Sequence, residues 1–244
     1  MSTAIIIPCH SYPELLPRAL ESVRCQTVQP DVICLRLDGV EDRRPYIDAV
    51  EQWRTHSTNI SVVWHPQMGI ASTMNNALVC LREDGLGWYL RLDEDDELNP
   101  RALEYMHLST TLCDREIHYT DWIKKGTWRG YTMVPEYSKE RLLAGPFILS
   151  TALISMSAWI QVREYNHVGY DPNVSAWEDY LFYLEAVCLG CSAAKIGLPL
   201  VRYYRHGQSR SSNVDKNPRP VIDYVRDKIL RMYGTEVTIG ANKA

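Results

Sequence analysis

The chain has 244 residues, 45% of them hydrophobic and 23% charged, with a formal net charge of −4 at pH 7. A chain of this size buries roughly 70–75% of the surface its unfolded form exposes, so it folds without a disulfide or metal staple. The balance excludes disorder, collagen and coiled coil, a run of about 18 apolar residues that would span a bilayer is missing, and the mild acidity attracts neither nucleic acid nor anionic lipid in bulk.

Ala4 to Ile7 is a continuous apolar run ended by Pro8, the pattern of a strand buried on both faces. Leu15, Leu16, Ala19, Leu20 and Val23 recur at helical spacing, with Pro13 and Glu14 placed for a first turn. Val32 to Leu37 predicts a second strand that stops at Asp38-Gly39, and Pro45 opens a helix to about Arg54. Ile60 to Trp64 reads as a third strand, Ala71 to Leu81 as a helix, and Trp88 to Leu92 as a fourth strand. This β-α alternation predicts a Rossmann-like, mostly parallel α/β sheet flanked by helices. Ligands of such sheets bind at the carboxyl ends of the strands, where Asp38 and Asp93 both fall.

The second half changes character. A helix begins near Pro100, and Ile117 to Trp122 and Thr127 to Met133 resemble short strands joined by Lys124-Lys125-Gly126. Trp177 to Leu189 predicts a strong helix, Ala194 to Ile196 and Leu200 to Tyr204 predict strands, and Val221 to Leu230 predicts a last helix. The reading is one domain over 1–244: a ligand-binding half (1–99), a mixed α+β half (100–212), and a C-terminal helix and tail (213–244).

The run Asp93-Glu94-Asp95-Asp96-Glu97 is the most informative feature. Directly after a strand, Asp93 and Asp95 fall on one side of an extended segment and can share a hard divalent cation, which removes their mutual repulsion. The alternative is a solvated turn with a capping acid for the helix at Pro100. An EF-hand loop fails, because Leu98 stands at the required glycine and a strand precedes the loop. The seven cysteines are scattered through apolar segments and read as reduced, buried thiols, Cys188-x-x-Cys191 included. The N-terminus lacks a basic segment and its apolar run is short for a secretory signal, so a cytoplasmic location is expected.

The order of short motifs resembles the family 2 glycosyltransferases of GT-A fold across roughly residues 3 to 212. Ile5-Ile6-Ile7-Pro8-Cys9-His10-Ser11 resembles the family's I-I-P-T-Y-N, and Leu15 to Thr27 its L-x-x-A-L-x-S-V-x-x-Q-T helix. Leu37-Asp38-Gly39 stands for D-D-G, Gln67-Met68-Gly69 and Asn75 for N-x-G and A-R-N, and Leu92 to Asp96 for L-D-x-D-D. Trp177 to Phe182 resembles E-D-x-x-L, and Tyr203 to Ser211 a compressed Y-R-x-H-x-x-S-x-S. Cys9-His10-Ser11, Leu37 and Met74 depart from the family pattern, and Met74 removes the arginine of A-R-N.

The resemblance implies an inverting, metal-dependent sugar transfer from a nucleotide sugar, UDP-linked by expectation, to a hydroxyl acceptor such as a surface glycan. It implies that Pro8, Cys9 and His10 line the nucleoside, that Asp38 accepts from a base imide N–H, and that Gln67 and Asn75 stand on the donor side. Asp93 would approach ribose and metal, Asp95 would bind a Mn²⁺ or Mg²⁺ ion, and His206 would complete the metal shell. Arg205 and Arg210 would clamp the diphosphate. Glu178 and Asp179 would be the catalytic carboxylates, with Asp179 the general base for the acceptor hydroxyl. The alternative for Glu178 and Asp179 is simple favourable placement at a helix N-terminus. Trp122, Trp128, Tyr131 and Tyr137 are candidates for a sugar-stacking wall or for packing. Rival functions are a glycosyltransferase acting on a hydroxylated DNA base, a nucleotidyltransferase, which lacks its expected glycine-rich phosphate loop here, and a catalytically silent sugar-nucleotide-binding module.

Overall fold

A computed structural model describes residues 1–53, 59–126, 129–205 and 217–239, with the side chain of Arg205 excepted. The ligand-binding half alternates as expected. β1 (Thr3–Cys9), β2 (Val32–Asp38), β3 (Ile60–His65) and β4 (Trp88–Arg91) are interleaved with α1 (Leu16–Arg24), α2 (Arg44–Trp53) and α3 (Ile70–Glu83). β1 pairs in parallel with both β2 and β4, and β2 with β3, giving the order β3-β2-β1-β4. Helix α1 starts later than expected: Pro13 lies in the preceding turn, and Pro17 supplies the first-turn proline.

β1 shows why a parallel sheet forms. Its alternate side chains leave on opposite faces, and both faces are covered. Ala4 and Ile6 pack beneath Met74, Ala77 and Leu78 of α3. Ile5 and Ile7 pack against Leu16, Ala19 and Leu20 of α1. All four strand residues are fully buried, and each isoleucine contributes about 1.5–3 kcal/mol of transfer free energy.

The chain after β4 joins the same sheet rather than forming another. It contributes β5 (Glu97–Leu98), α4 (Ala102–Leu112), β6 (Ile117–Gly126), β7 (Gly130–Thr132), α5 (Lys139–Ala144), β8 (Leu153–Ser155), α6 (Met156–Asn166), α7 (Glu178–Cys188), β9 (Ala193–Arg205) and α8 (Arg219–Tyr233). Among the described residues these complete a nine-stranded mixed sheet, β3-β2-β1-β4-β8-β6-β9-β5, with β7 on β6. β8 meets β4 and β6 antiparallel, whereas β6 and β9 run parallel.

Three expectations shift. Lys124, Lys125 and Gly126 extend β6, so the reversal into β7 comes later than expected. The two late strands are one, β9, which absorbs Gly197 and Pro199 through register shifts against Thr120 and Asp121 of β6. α5, β8 and α6 add elements between the expected hairpin and α7. Among the described residues no helix is long and apolar enough to cross a membrane.

Candidate active site

The carboxyl ends of β1, β2 and β4, the start of α3 and the start of α7 surround a cavity of about 790 Å³. The acidic run enters it directly after β4, and its burial alternates: Asp93 and Asp95 are partly exposed, while Glu94, Asp96 and Glu97 are buried. The segment is not extended as expected: Asp96 N–H donates to Asp93 O at 3.0 Å and closes a turn over residues 93–96, from which Asp93 and Asp95 both line the cavity. The alternative of a solvated turn with a capping acid holds only for the turn: Glu94 and Asp96 are buried, and α4 has no side-chain cap.

Each buried acid has a structural task. Glu94 Oε1 accepts the backbone N–H groups of His10, Ser11 and Tyr12 at 3.0, 3.1 and 3.2 Å, and its Oε2 accepts the Tyr46 hydroxyl at 3.0 Å. Burial pushes its carboxyl upward, while those donors pull it down. Asp96 Oδ1 accepts the Tyr204 N–H at 2.8 Å and ties the run to β9. Burial, then the charges of Asp95 and Asp93, hold it well above the ordinary carboxylate range. Glu97 pairs with Arg18 and Arg202 at 2.8 and 3.0 Å.

Asp93 and Asp95 differ. Asp93 is held by Arg91, through Nε to Oδ1 at 2.6 Å and Nη2 to Oδ2 at 3.0 Å. The third guanidinium nitrogen, Nη1, donates to Glu178 Oε1 at 2.8 Å. Asp95 lines the cavity, and its backbone carbonyl accepts Arg18 Nη2 at 2.5 Å. Among the described residues no group of three histidine, cysteine or acidic side chains gathers around one point. His206 and Arg210 lie outside the described residues, as does the side chain of Arg205.

The donor-side expectations separate. Pro8, Cys9 and His10 line the cavity. The Cys9 thiol turns into the core toward Ile7 O at 3.5 Å, so Cys9 offers only backbone. His10 Nδ1 lies 2.6 Å from Asp38 O, a contact that places the proton on Nδ1 because the carbonyl only accepts. Asp38 accepts Met68 N–H at 2.7 Å and Gly69 N–H at 3.0 Å, one per carboxylate oxygen, which leaves lone pairs toward the cavity. Gln67 also lines the cavity, and it requires glycine at 39: a Cβ there would lie 2.5 Å from Gln67 Cβ on a backbone at φ 65°.

Asn75 is a correction. Its amide is spent on the scaffold, donating to Tyr170 O at 2.7 Å and accepting from Tyr170 N at 2.9 Å and Trp159 Nε1 at 3.2 Å. It is not among the residues lining the cavity. The same loop requires Gly169, where a Cβ would meet Trp159 Nε1 at 2.5 Å.

On the other side of the Arg91 guanidinium from Asp93, α7 begins with Glu178 and Asp179, both lining the cavity. Asp179 Oδ1 accepts the Tyr180 N–H at 2.7 Å. Burial first, and then the neighbouring Glu178 charge, push the Asp179 carboxyl up to about 6, against the opposing pull of Arg91. A carboxylate so placed titrates where a general base is useful. Trp177, just before it, adopts a left-handed backbone at φ 61°, rare for a bulky residue and found where surroundings impose it.

Of the four candidate aromatics, Trp122 lines the cavity. Tyr137 packs against the core, Tyr131 bonds Asp121, and Trp128 lies outside the described residues. Cys191 is buried and burial lifts its thiol to about 11, but Cys188 is half-buried and Cys25 and Cys80 are exposed, which corrects the reading of seven buried thiols. Sequence reasoning missed Arg91, Glu94 and Tyr46. An arginine inside the apolar run Trp88 to Leu92 was the available signal for the first.

Residues 4–108 match the family model of Glycosyl transferase family 2. The chain is 25% identical over 190 residues to a chondroitin synthase of Pasteurella multocida strain Pm70 and equally to a hyaluronan synthase of P. multocida. Each match covers 75% of this chain but 18% of the relative, so the chain spans under a fifth of the length of these relatives. Its fold is that of S. aureus TarS residues 1–349 in complex with UDP-GlcNAc (TM-score 0.75, 15% identity, 95% of this chain and 67% of that one). It is also that of the mannosyltransferase PcManGT of Pyrobaculum calidifontis in complex with GDP-Man and Mn²⁺ (TM-score 0.67, 16% identity, 94% and 64%). The expected GT-A-like α/β architecture is therefore the observed one.

Proposed function

We propose that this chain, which belongs to Glycosyl transferase family 2 over residues 4–108, moves a sugar from a nucleotide sugar to a glycan hydroxyl with inversion at the anomeric carbon. One observation carries the reading: a single cavity is lined by Asp38, Asp93 and Asp95 from strand ends and by Asp179 from a helix start. The nucleoside lies along the backbone of residues 8–10, with its base N–H donating to Asp38. UDP is the expected carrier, in line with the UDP-GlcNAc bound by TarS. The glycan acceptor follows relatives named for the polysaccharides they synthesise. An acid-rich cavity repels a phosphodiester chain, so nucleic acid is not the acceptor proposed.

The residues present fit a divalent cation. The described cavity lining carries Asp38, Asp93, Glu94, Asp95, Glu178 and Asp179, spread around it rather than gathered at one point, with the one guanidinium of Arg91. A diphosphate needs added positive charge to enter such surroundings. Asp95 would hold Mn²⁺ or Mg²⁺, which are commonly bound by one or two carboxylates plus substrate phosphate. Asp93, already engaged by Arg91, would face the ribose. When bound, the ion neutralises charge growing on the departing diphosphate.

Asp179 takes the proton from the acceptor hydroxyl as its oxygen attacks the anomeric carbon from the face opposite the diphosphate. Glu178 touches neither substrate in this scheme: through Arg91 it fixes the distance between α7 and Asp93. The test is thermal shift with UDP and GDP sugars, with and without Mn²⁺, followed by mass spectrometry of oligosaccharide acceptors. A Tm rise that needs nucleotide and metal together, and an added hexosyl mass, are expected. Neither appearing with any donor would overturn the reading.

A further inference from the structure

We infer that Arg18 of α1, which is not among the cavity-lining residues, is a positioning residue for the divalent cation, because it seats the turn that presents Asp95. This rests on the reading above, in which Asp95 holds the ion, and adds a residue on which that hold depends.

The segment after β4 is fastened to α1 at three points. Arg18 Nη2 donates to Asp95 O at 2.5 Å, Ser22 Oγ accepts the Leu98 N–H at 3.0 Å, and Gln26 Nε2 donates to Asn99 O at 2.7 Å. Arg18 and Ser22 stand four residues apart, on one face of the helix, and Gln26 follows just beyond its last turn. Ser22 has a lone pair for Leu98 because its own proton goes to Ala19 O at 2.7 Å. Ser22 and Gln26 hold β5 and its exit, whereas Arg18 reaches back into the turn over residues 93–96. In L-x-x-A-L-x-S-V-x-x-Q-T, Ser22 and Gln26 occupy named positions and Arg18 an open one, so the pattern gives Arg18 no role.

Arg18 is itself held from two sides. Its Cζ lies 3.5 Å from the centre of the Tyr204 ring, and its Nε stands 2.8 Å from Glu97 Oε1. Tyr204 donates its hydroxyl to the same Glu97 oxygen at 3.0 Å and its N–H to Asp96 Oδ1 at 2.8 Å. The guanidinium plane is thereby referenced to α1, to the acidic run and to β9 at once. Its bond to the Asp95 carbonyl fixes the plane of the next peptide, and with it the direction in which Asp95 projects its side chain. A small divalent ion demands near-ideal ligand geometry, so a carboxylate already aimed at it binds without a cost for ordering the turn. The charge of Arg18 is answered by Glu97, which limits its repulsion of an ion at Asp95.

The test uses the full chain at fixed UDP, with free Mn²⁺ read by electron paramagnetic resonance and UDP affinity read by calorimetry. Arg18→Gln is expected to raise the Mn²⁺ concentration for half-saturation about tenfold or more. At saturating Mn²⁺ its UDP affinity is expected to return to that of the wild-type chain, a recovery that general damage to the fold would not show. Arg18→Lys keeps the charge but loses the planar stack, and is expected to stay weakened severalfold. Tyr204→Leu removes the stack while leaving Arg18 in place and is expected to act in the same direction. The double variant should lose less than the product of the two single effects, because both act through one guanidinium. Should Arg18→Gln fold poorly, Tyr204→Leu carries the test by the same readout. Unchanged Mn²⁺ half-saturation in both single variants would overturn the inference while leaving the transfer reading intact. A wild-type chain that binds no Mn²⁺ with any nucleotide or nucleotide sugar would overturn the inference together with the metal assigned to Asp95.

Discussion

Arg91 Nη1 lies 2.8 Å from Glu178 Oε1, joining the end of β4 to the first residue of α7 across the cavity. The same guanidinium holds Asp93 bidentately. One buried cation thus sets how far the acidic run stands from the helix that presents Asp179. Arg91→Met leaves two carboxylates without their partner and is expected to cost about 3–5 kcal/mol, read by urea denaturation. Arg91→Lys keeps the charge but loses the fork, and is expected to fall between.

Glu94 organises the loop after β1 from beneath. Glu94→Ala strands three backbone N–H groups and is expected to cost about 2–4 kcal/mol, with a raised donor KM because residues 8–12 line the donor side. Tyr46→Phe removes one donor to the same carboxylate and is expected to shift donor KM in the same direction by less. Steady-state kinetics at varied donor concentration checks both.

A second buried ion cluster holds the rear of α7. Lys228 of α8 reaches Asp171 at 2.7 Å and Glu185 at 2.9 Å, all three being buried. Lys228→Met leaves both acids unpaired, so a loss of about 3–5 kcal/mol is expected in thermal or urea unfolding. That loss should shrink at low pH, where burial already favours the protonated form of Glu185.

The β-α alternation and the site's carboxylates were legible in the sequence because they obey local rules. Buried parallel strands are unbroken apolar runs, and ligands meet strand ends. Asp38 and Asp95 line the cavity beside strand ends, where those rules look for ligands, whereas Asp179 lines it from a helix start that the family resemblance alone singled out. What stayed hidden depends on long-range partners. Asn75 and Asp38 are both polar residues in family-like motifs, yet one faces the cavity and the other is consumed by Tyr170 and Trp159, more than 80 residues away. Glu94 sits at the unconstrained position of L-D-x-D-D, so no motif marked its three backbone donors. α6 was missed although its signal was local: Met156, Trp159 and Val162 recur at helical spacing and Ser155 caps its start.

Asp179 carries an opposite signature for stability and for catalysis. Its carboxyl is raised to about 6, so the folded chain binds its proton more tightly than the unfolded chain, and its contribution to stability declines as pH climbs from about 4 through 6. Asp179→Asn is therefore expected to unfold no lower than the parent at pH 8, by a margin on the order of 1 kcal/mol after allowance for its partial exposure. That margin should close near pH 4.

The most direct measurement is the pH dependence of sugar transfer in the wild-type chain and in Asp179→Asn. The wild-type kcat/KM for acceptor should fall with unit slope as pH drops below about 6, and Asp179→Asn should lose about 10²–10⁴ in rate at every pH while still binding UDP and manganese. Transfer that persists in Asp179→Asn with the parent's profile would contradict the assignment of Asp179 as the base.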